Sequence, residues 1–262
     1  MDYKGMTALV TGASTGLGEE FASQLASRGC NLILVARSES KLTRLAAELR
    51  QRWKTEVAVM PADLASTEAV QSLIAEIKSR GTNVSLLVNN AGFGIFENFL
   101  DAPLQRQMEQ VDVNVRSLVT LTHAFTPGMV TAHHGGVINI ASNAAFQPLA
   151  GADVYAASKA FVLFFSEGLS LELEKDNVRV LAACPGPVAT QFFANMNPKM
   201  QATQMDQPAT IVREILRAFD KGKKVVVPGK LSVRLGTLGA RLLPRNTILR
   251  LAAGTVQQLN RK

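Results

Sequence analysis

The sequence predicts an α/β chain built on a parallel sheet. Three observations carry that expectation. A short apolar strand, Thr7-Ala8-Leu9-Val10, runs through a glycine-rich turn into a helix near 19–27. The next strand, Asn31-Leu32-Ile33-Leu34-Val35-Ala36, is apolar on both faces, as a parallel strand buried between layers of helices must be. Strand and helix patterns then keep alternating, which favours βαβ units over hairpins. With 262 residues and 47% hydrophobic content, the chain is long enough for a substantial core.

The turn after the first strand reads Thr11-Gly12-Ala13-Ser14-Thr15-Gly16-Leu17-Gly18. Glycines let a backbone approach a pyrophosphate, and a helix N-terminus offers unpaired N–H groups at the positive end of its dipole. The spacing is G-x-x-x-G-x-G rather than the usual G-x-G-x-x-G. The second strand ends at Arg37. An acid there would grip a ribose 2′-hydroxyl, whereas arginine accommodates a 2′-phosphate. Arg37, with Ser14 and Ser38 as hydroxyl donors, therefore favours NADP(H); the plain alternative is an arginine facing solvent ahead of a helix over 39–52. A third strand, 57–60, leads to Asp63-Leu64, where Asp63 accepts from an adenine amino group or serves as a polar turn residue. A helix over about 67–79 follows, and a fourth strand, 85–88, ends in Asn89-Asn90-Ala91-Gly92. Two amides and a small pair suit close packing against a cofactor, or a plain turn.

A long helical pattern spans 104–131, interrupted near Pro127, with Asn114 inside it. A buried asparagine there needs partners, as a structural hydrogen-bonder or as part of a proton path. His133-His134 precede the fifth strand; adjacent histidines diverge and no Cys or carboxylate joins them, so no metal site is expected. That strand, 137–141, closes on Ser142. Tyr155 and Lys159 lie four apart on a helix predicted to reach about Lys175, and so share one face. An ammonium beside a phenol favours the phenolate and lowers the tyrosine pKa from its usual value of about 10. Ser142 is placed to hold a carbonyl oxygen against that phenol. The three read as proton donor, tuner and substrate clamp; the plain alternative is an ordinary tyrosine with a snorkelling lysine.

A strand over 178–183 enters Cys184-Pro185-Gly186-Pro187-Val188-Ala189-Thr190, where Thr190 donates to a carboxamide or caps the following turn. Residues 191–207 read as a long substrate loop, and Phe192, Phe193, Met196, Met200 and Met205 suit it to covering a greasy substrate. A helix near 209–219 and a last strand, 224–227, complete the sheet. Beyond them Leu231, Leu235, Leu238 and Leu242 recur at helical spacing beside Arg234, Arg241 and Arg245, until Pro244 breaks the pattern. These leucines cover the active site, a subunit interface or a membrane surface.

The net charge of +7 is a C-terminal property: from Arg213 onward there are 12 Lys/Arg against two acids. No aromatic follows Phe219, which argues against nucleic acid as the partner. An anionic lipid surface, an acidic partner, a phosphorylated substrate or a merely solvated tail remain. Cys30 and Cys184 are expected as free thiols of a reducing compartment. No signal-peptide core precedes the first strand and no run of 18 apolar residues is present, so a cytoplasmic protein is expected, in peripheral membrane contact at most through 230–262.

Taken in order, Thr11–Gly18, Asn89-Asn90-Ala91-Gly92, Asn114, Ser142, Tyr155-x-x-x-Lys159 and Pro185-Gly186-Pro187-Val188-x-Thr190 resemble the motifs of the short-chain dehydrogenases/reductases over residues 5–228. The resemblance implies a single Rossmann-like, doubly wound domain over 1–229, with seven parallel strands and helices on both faces, followed by a basic amphipathic extension over 230–262. It implies Tyr155 as acid/base, Lys159 as ribose ligand and tuner, Ser142 as the group orienting the substrate oxygen, and Asn114 as support for a water relay. Cofactor contacts are implied at Gly12, Ser14, Thr15, Gly16, Leu17, Gly18, Arg37, Ser38, Asp63, Leu64, Asn90, Ala91, Gly92, Pro185, Gly186, Val188 and Thr190. Substrate contacts are expected at Ser142, Ala144, Phe93, Phe146 and Phe192. The basic residue often found within the glycine motif is absent, Ser14-Thr15 standing there instead. The expected activity is hydride transfer between NADP(H) and an apolar ketone or secondary alcohol, 3-oxoacyl- or hydroxysteroid-like, in a homo-oligomer (dimer or tetramer). The alternative is a dinucleotide-binding regulatory or scaffold protein acting through its basic tail.

Overall fold

Seven strands form one sheet: β1 (Thr7–Thr11), β2 (Asn31–Ala36), β3 (Val57–Pro61), β4 (Leu86–Asn89), β5 (Gly135–Ile140), β6 (Val178–Ala183) and β7 (Val225–Val226). Their order is β3-β2-β1-β4-β5-β6-β7 and every pairing is parallel. The computed structural model describes residues 1–192 and 205–250; Phe193, Met196 and Met200 of the predicted substrate loop lie outside the described residues. The strand order reverses between β1 and β4, where Ala8 faces Leu86. In an open parallel sheet, that switch point leaves a crevice beyond the strands' C-terminal ends.

Helices cover both faces: α1 (Gly16–Ala26), α2 (Glu39–Trp53), α3 (Thr67–Ser79), α4 (Leu104–Val111), α5 (Ser117–Thr131), α6 (Asp153–Glu172), α7 (Pro208–Asp220) and α8 (Leu231–Leu242). Because side chains alternate along a strand, β1 and β2 feed two cores at once. Ala8, Val10, Leu32 and Leu34 pack with Phe21, Leu42, Ile215 and Phe219 from α1, α2 and α7. Leu9, Ile33 and Val35 pack with Leu73, Ile77, Leu121 and Phe125 from α3 and α5. That double burial is why these strands carry no polar face.

Two sequence expectations are corrected. The last strand is two residues long rather than four. The 104–131 helical run is interrupted not at Pro127 but by one turn of π-helix over Asp112–Arg116, and α5 runs straight through Pro127. Proline removes one helical donor, which frees the carbonyl four residues earlier; both Pro127 and His123 are exposed. Among the described residues one helix, α6, is long and apolar enough to cross a membrane by length and composition alone, and it packs along β6. The chain beyond β7 also joins the body, since α8 contacts the short turn at Asn143–Phe146.

Gly136 shows how closely β5 and α7 approach. A Cβ there would run into the Phe219 ring and stand 2.8 Å from the Arg179 carbonyl of β6. Gly136→Ala should therefore destabilise the fold by about 1–3 kcal/mol through overpacking. Urea unfolding checks this, as a lowered midpoint with an unchanged slope.

Candidate active site

The crevice is built first from backbone. Gly12 and Gly16 take φ of +65° and +61°, the left-handed region that only glycine enters freely. Gly18 presses on the Gly12 carbonyl, and a Cβ there would stand 2.6 Å from Asn90 Nδ2. Asn90 Nδ2 donates to the carbonyls of Thr11 (2.9 Å) and Gly12 (3.3 Å), while Thr11 Oγ1 accepts from the N–H groups of Asn90 and Ala91, both at 3.0 Å. The end of β4 is thereby laced to the glycine turn. Thr190 closes the other side: a Cβ on Gly16 would lie 2.9 Å from its Cγ2. At the N-terminus of α1, Thr15 makes no side-chain cap, so the first N–H groups stay available to an anion. The close-set glycines and uncapped helix end fit a pyrophosphate.

Farther along the crevice, Arg37 is exposed at the end of β2 and makes no hydrogen bond or ion pair with a described residue. Ser38 begins α2, its hydroxyl 3.5 Å from that of Ser40. Asp63 is exposed and accepts from Ala65 N–H at 3.0 Å, which is turn chemistry, while Leu64 behind it is buried.

Beyond β5, Ser142 opens a short 3₁₀ turn; its Oγ accepts from Ala144 N–H at 3.1 Å and donates to Asn143 Oδ1 at 3.3 Å. Asn143 N–H in turn donates to the Pro185 carbonyl at 2.9 Å, tying this turn to the loop after β6. Tyr155 and Lys159 on α6 are only 6% and 5% exposed. Lys159 Nζ donates to the Ile140 carbonyl at 2.8 Å and lies 5.9 Å from the centre of the Tyr155 ring.

These contacts correct the expected tuning. Burial pushes the Tyr155 phenol up to about 12, against a smaller opposing pull from its hydrogen bond with Ser142. Burial also pushes Lys159 down to about 8, opposed by Cys184. Desolvation penalises both charged forms, and the lysine's proton is directed at a backbone carbonyl rather than at the phenol.

Asn114 sits in the π turn, buried. Its Oδ1 accepts from Phe93 N–H at 3.1 Å, and its Nδ2 donates to the Phe93 carbonyl and to Ser158 Oγ, both at 3.0 Å. Ser158 Oγ donates to the Tyr155 carbonyl at 2.7 Å. A Cβ on Gly92 would lie 2.9 Å from Asn114 Oδ1 and 3.3 Å from Lys159 Nζ, so β4, the π turn and α6 meet there.

The rings near Tyr155 are Phe96, centroid at 5.3 Å, and Phe192, at 5.9 Å, within an apolar cluster that includes Ala144, Leu149 and Ala152. Two expected substrate contacts are corrected. The Phe93 ring lies under Arg106, 5.0 Å from its guanidinium, and Phe146 packs against the core around Leu118 and Leu163. Phe96 and Leu149 were missed because neither belongs to a motif. Gln110 was missed as well: its Oε1 holds Ile95 N–H at 2.7 Å and fixes the loop that carries Phe96. Asn89 turns away from the crevice into a buried network, its Nδ2 donating to Thr122 Oγ1 (3.0 Å) and Asn139 Oδ1 (2.9 Å), with Asn139 Nδ2 donating to Ser166 Oγ at 2.9 Å.

The short chain dehydrogenase family model matches residues 6–201. The chain is a short-chain dehydrogenase. Sulfoacetaldehyde reductase 2 of Chromohalobacter salexigens is 39% identical to it over 186 residues, covering 70% of this chain and 73% of the relative. The very-long-chain 3-oxoacyl-CoA reductase of Anas platyrhynchos is 31% identical over 259 residues, covering 97% and 81%. A solved short-chain dehydrogenase from Sphingobium yanoikuyae, in complex with NADPH, matches with a TM-score of 0.81 and 32% identity, covering 90% of this chain and 93% of its own. This short-chain dehydrogenase is thus an oxidoreductase of a family that works with a nicotinamide dinucleotide.

The buried lysine makes a signed prediction for the dinucleotide-free enzyme. Its folded pKa, about 8, lies below the ordinary 10.5, so folding carries a penalty while Lys159 is charged, relieved as pH rises from about 8 toward 10.5. Tyr155, raised from 10.0 to about 12, makes stability fall only above its ordinary pKa. Lys159→Met should therefore melt higher than the parent at about pH 7, with the gap narrowing by about pH 9.5. A gap that is constant with pH would show that the lysine's charge is not its source.

Proposed function

We propose that this short-chain dehydrogenase interconverts an apolar ketone and its secondary alcohol using NADP(H). The observation that carries the reading is the buried Ser142–Tyr155 pair walled by Phe96, Leu149 and Phe192. When bound, the nicotinamide supplies the hydride for the carbonyl carbon or takes it back. Ser142 and Tyr155 hold the carbonyl oxygen, and Tyr155 delivers its proton to the developing alkoxide. The buried phenol carries its proton at neutral pH but is a weaker acid for its raised pKa, so reduction relies on the interactions that the bound substrate oxygen and dinucleotide bring to it. Lys159 and Asn114, meeting at Gly92, suit a ribose, and the Asn114–Ser158 bond holds α6 while the proton moves.

Arg37 supports the choice of NADP(H): its guanidinium, without a partner among the described residues, stands at the end of β2, where an acid would repel a 2′-phosphate. The apolar wall favours 3-oxoacyl or steroid-like carbonyls over small charged ones. The exposed Phe161, Phe164 and Leu171 on the outer side of α6 support a homo-oligomer formed through that face.

NADPH oxidation across a ketone panel tests the reading. Tyr155→Phe should lower kcat by about 10²- to 10⁴-fold while NADPH binding, followed by fluorescence, persists; unchanged turnover in the variant would sink the mechanism. NADPH binding without turnover on any ketone would favour the scaffold reading. Arg37→Glu should raise KM for NADPH by roughly tenfold or more and leave KM for NADH nearly unchanged; equal effects on both cofactors would remove the 2′-phosphate role.

A further inference from the structure

Helix α8 is packed back to front. Its inner side is small: Val233 lies against Gly186, where a Cβ would come within 2.8 Å of Val233 Cγ2, and Thr237 is buried beside it. Ser232 and Gly236 border Asn143 and Gln147, next to the catalytic serine. The outer side carries Leu231, Leu235, Leu238 and Leu242, exposed by 67, 58, 52 and 75%. At 100° per residue these four fall within a stripe about 60° wide, opposite Val233. A helix lying on a globular body ordinarily turns its leucines inward. Here they face out, and Leu243 and Leu249 extend the exposed apolar surface.

The charge around this stripe has one sign. From Lys221 to the last residue there are ten Lys/Arg and no acid. Arg234 is tied to Glu214 at 2.8 Å, whereas Arg245 and Arg250 are exposed and make no ion pair with a described residue.

We propose that the leucine face of α8 docks on an anionic lipid bilayer. A second copy of the chain is disfavoured, because pairing through α8 would set two wholly basic segments against each other. A folded protein partner fits less well, since interface cores are rich in aromatic anchors and no aromatic follows Phe219. Hydrocarbon needs no shape match: branched aliphatic side chains enter it while flanking cations meet anionic headgroups. Because the inner side of α8 borders Asn143, docking brings the Ser142 side of the crevice to the lipid. Only that consequence rests on the reductase reading.

The test uses the full chain and sedimentation with sucrose-loaded vesicles of phosphatidylcholine, with or without phosphatidylserine. The chain should pellet with the serine-containing vesicles and only weakly with phosphatidylcholine alone. Leu235→Gln/Leu238→Gln should weaken binding by roughly tenfold or more, and Arg245→Gln/Arg250→Gln by several-fold with a shallower salt dependence. NADPH turnover on a water-soluble ketone should be the same in all three proteins. No pelleting with anionic vesicles, or pelleting that the leucine variant leaves intact, overturns the proposal. So does a leucine variant that shrinks the sedimenting species of a chain that never binds vesicles, which makes the face an interface between copies. Docking by a chain that turns over no ketone leaves the proposal standing and removes the reductase reading instead.

Discussion

The hydrogen bond from Lys159 Nζ to the Ile140 carbonyl is the contact on which the arrangement of the candidate active site depends. A buried ammonium is costly unless something accepts its protons, and the carbonyl that does so belongs to the last residue of β5. Ser142 lies two residues beyond that carbonyl, and Tyr155 one helical turn before the lysine. One bond between strand end and helix therefore brings serine and tyrosine to the same place. The loop after β6 adds a second tie, Asn143 N–H to the Pro185 carbonyl, so the serine turn is held from both sides.

Beneath this contact the sheet and helices are joined by side-chain amides rather than by packing alone. Asn89 and Asn139, at matched positions on β4 and β5, link to each other, to Thr122 on α5 and to Ser166 on α6. Such networks specify one arrangement because a partly satisfied version is penalised in a low-dielectric interior. Asn89 Oδ1 itself has no protein partner among the described residues. Asn90, the next residue, faces the other way and secures the glycine turn. Asn89 ends β4 and Asn90 lies just past it, where its N–H turns back to the Val88 carbonyl at 3.0 Å, so the two neighbouring amides meet different partners.

Much of the fold was legible because its signals are local and periodic. Doubly apolar strands, glycines at tight turns and an i, i+4 Tyr–Lys pair can each be read from adjacent residues. What escaped depends on distant chain segments. The π turn that aims Asn114 inward has no sequence mark, and a proline that looked like a helix break lies on the exposed side of α5, which runs through it. Phe93 and Phe96 are chemically equal candidates in one loop; Arg106 over one ring and Tyr155 against the other decide between them. The leucine periodicity of α8 was plain, but periodicity cannot say which side of a helix faces the body. Val233 in the narrow space by Gly186 and the buried Thr237 decide that.

The sign of the tyrosine shift is the most instructive departure. Spacing places an ammonium one turn from a phenol, and proximity in water would favour the phenolate. Burying both groups reverses the balance, since each charged form loses its hydration and the ammonium already has a carbonyl to bind. The phenol then keeps its proton and the lysine holds its own more loosely. A site left in this condition carries its proton but holds it tightly, and gives it up only as an oxygen beside it becomes negative. Charge arriving beside Tyr155 can lower its barrier to proton loss far more than in water, because the same low dielectric that raised its pKa strengthens each new interaction. The energy that burial removes from the resting phenolate is therefore what makes the site responsive to its substrate and cofactor.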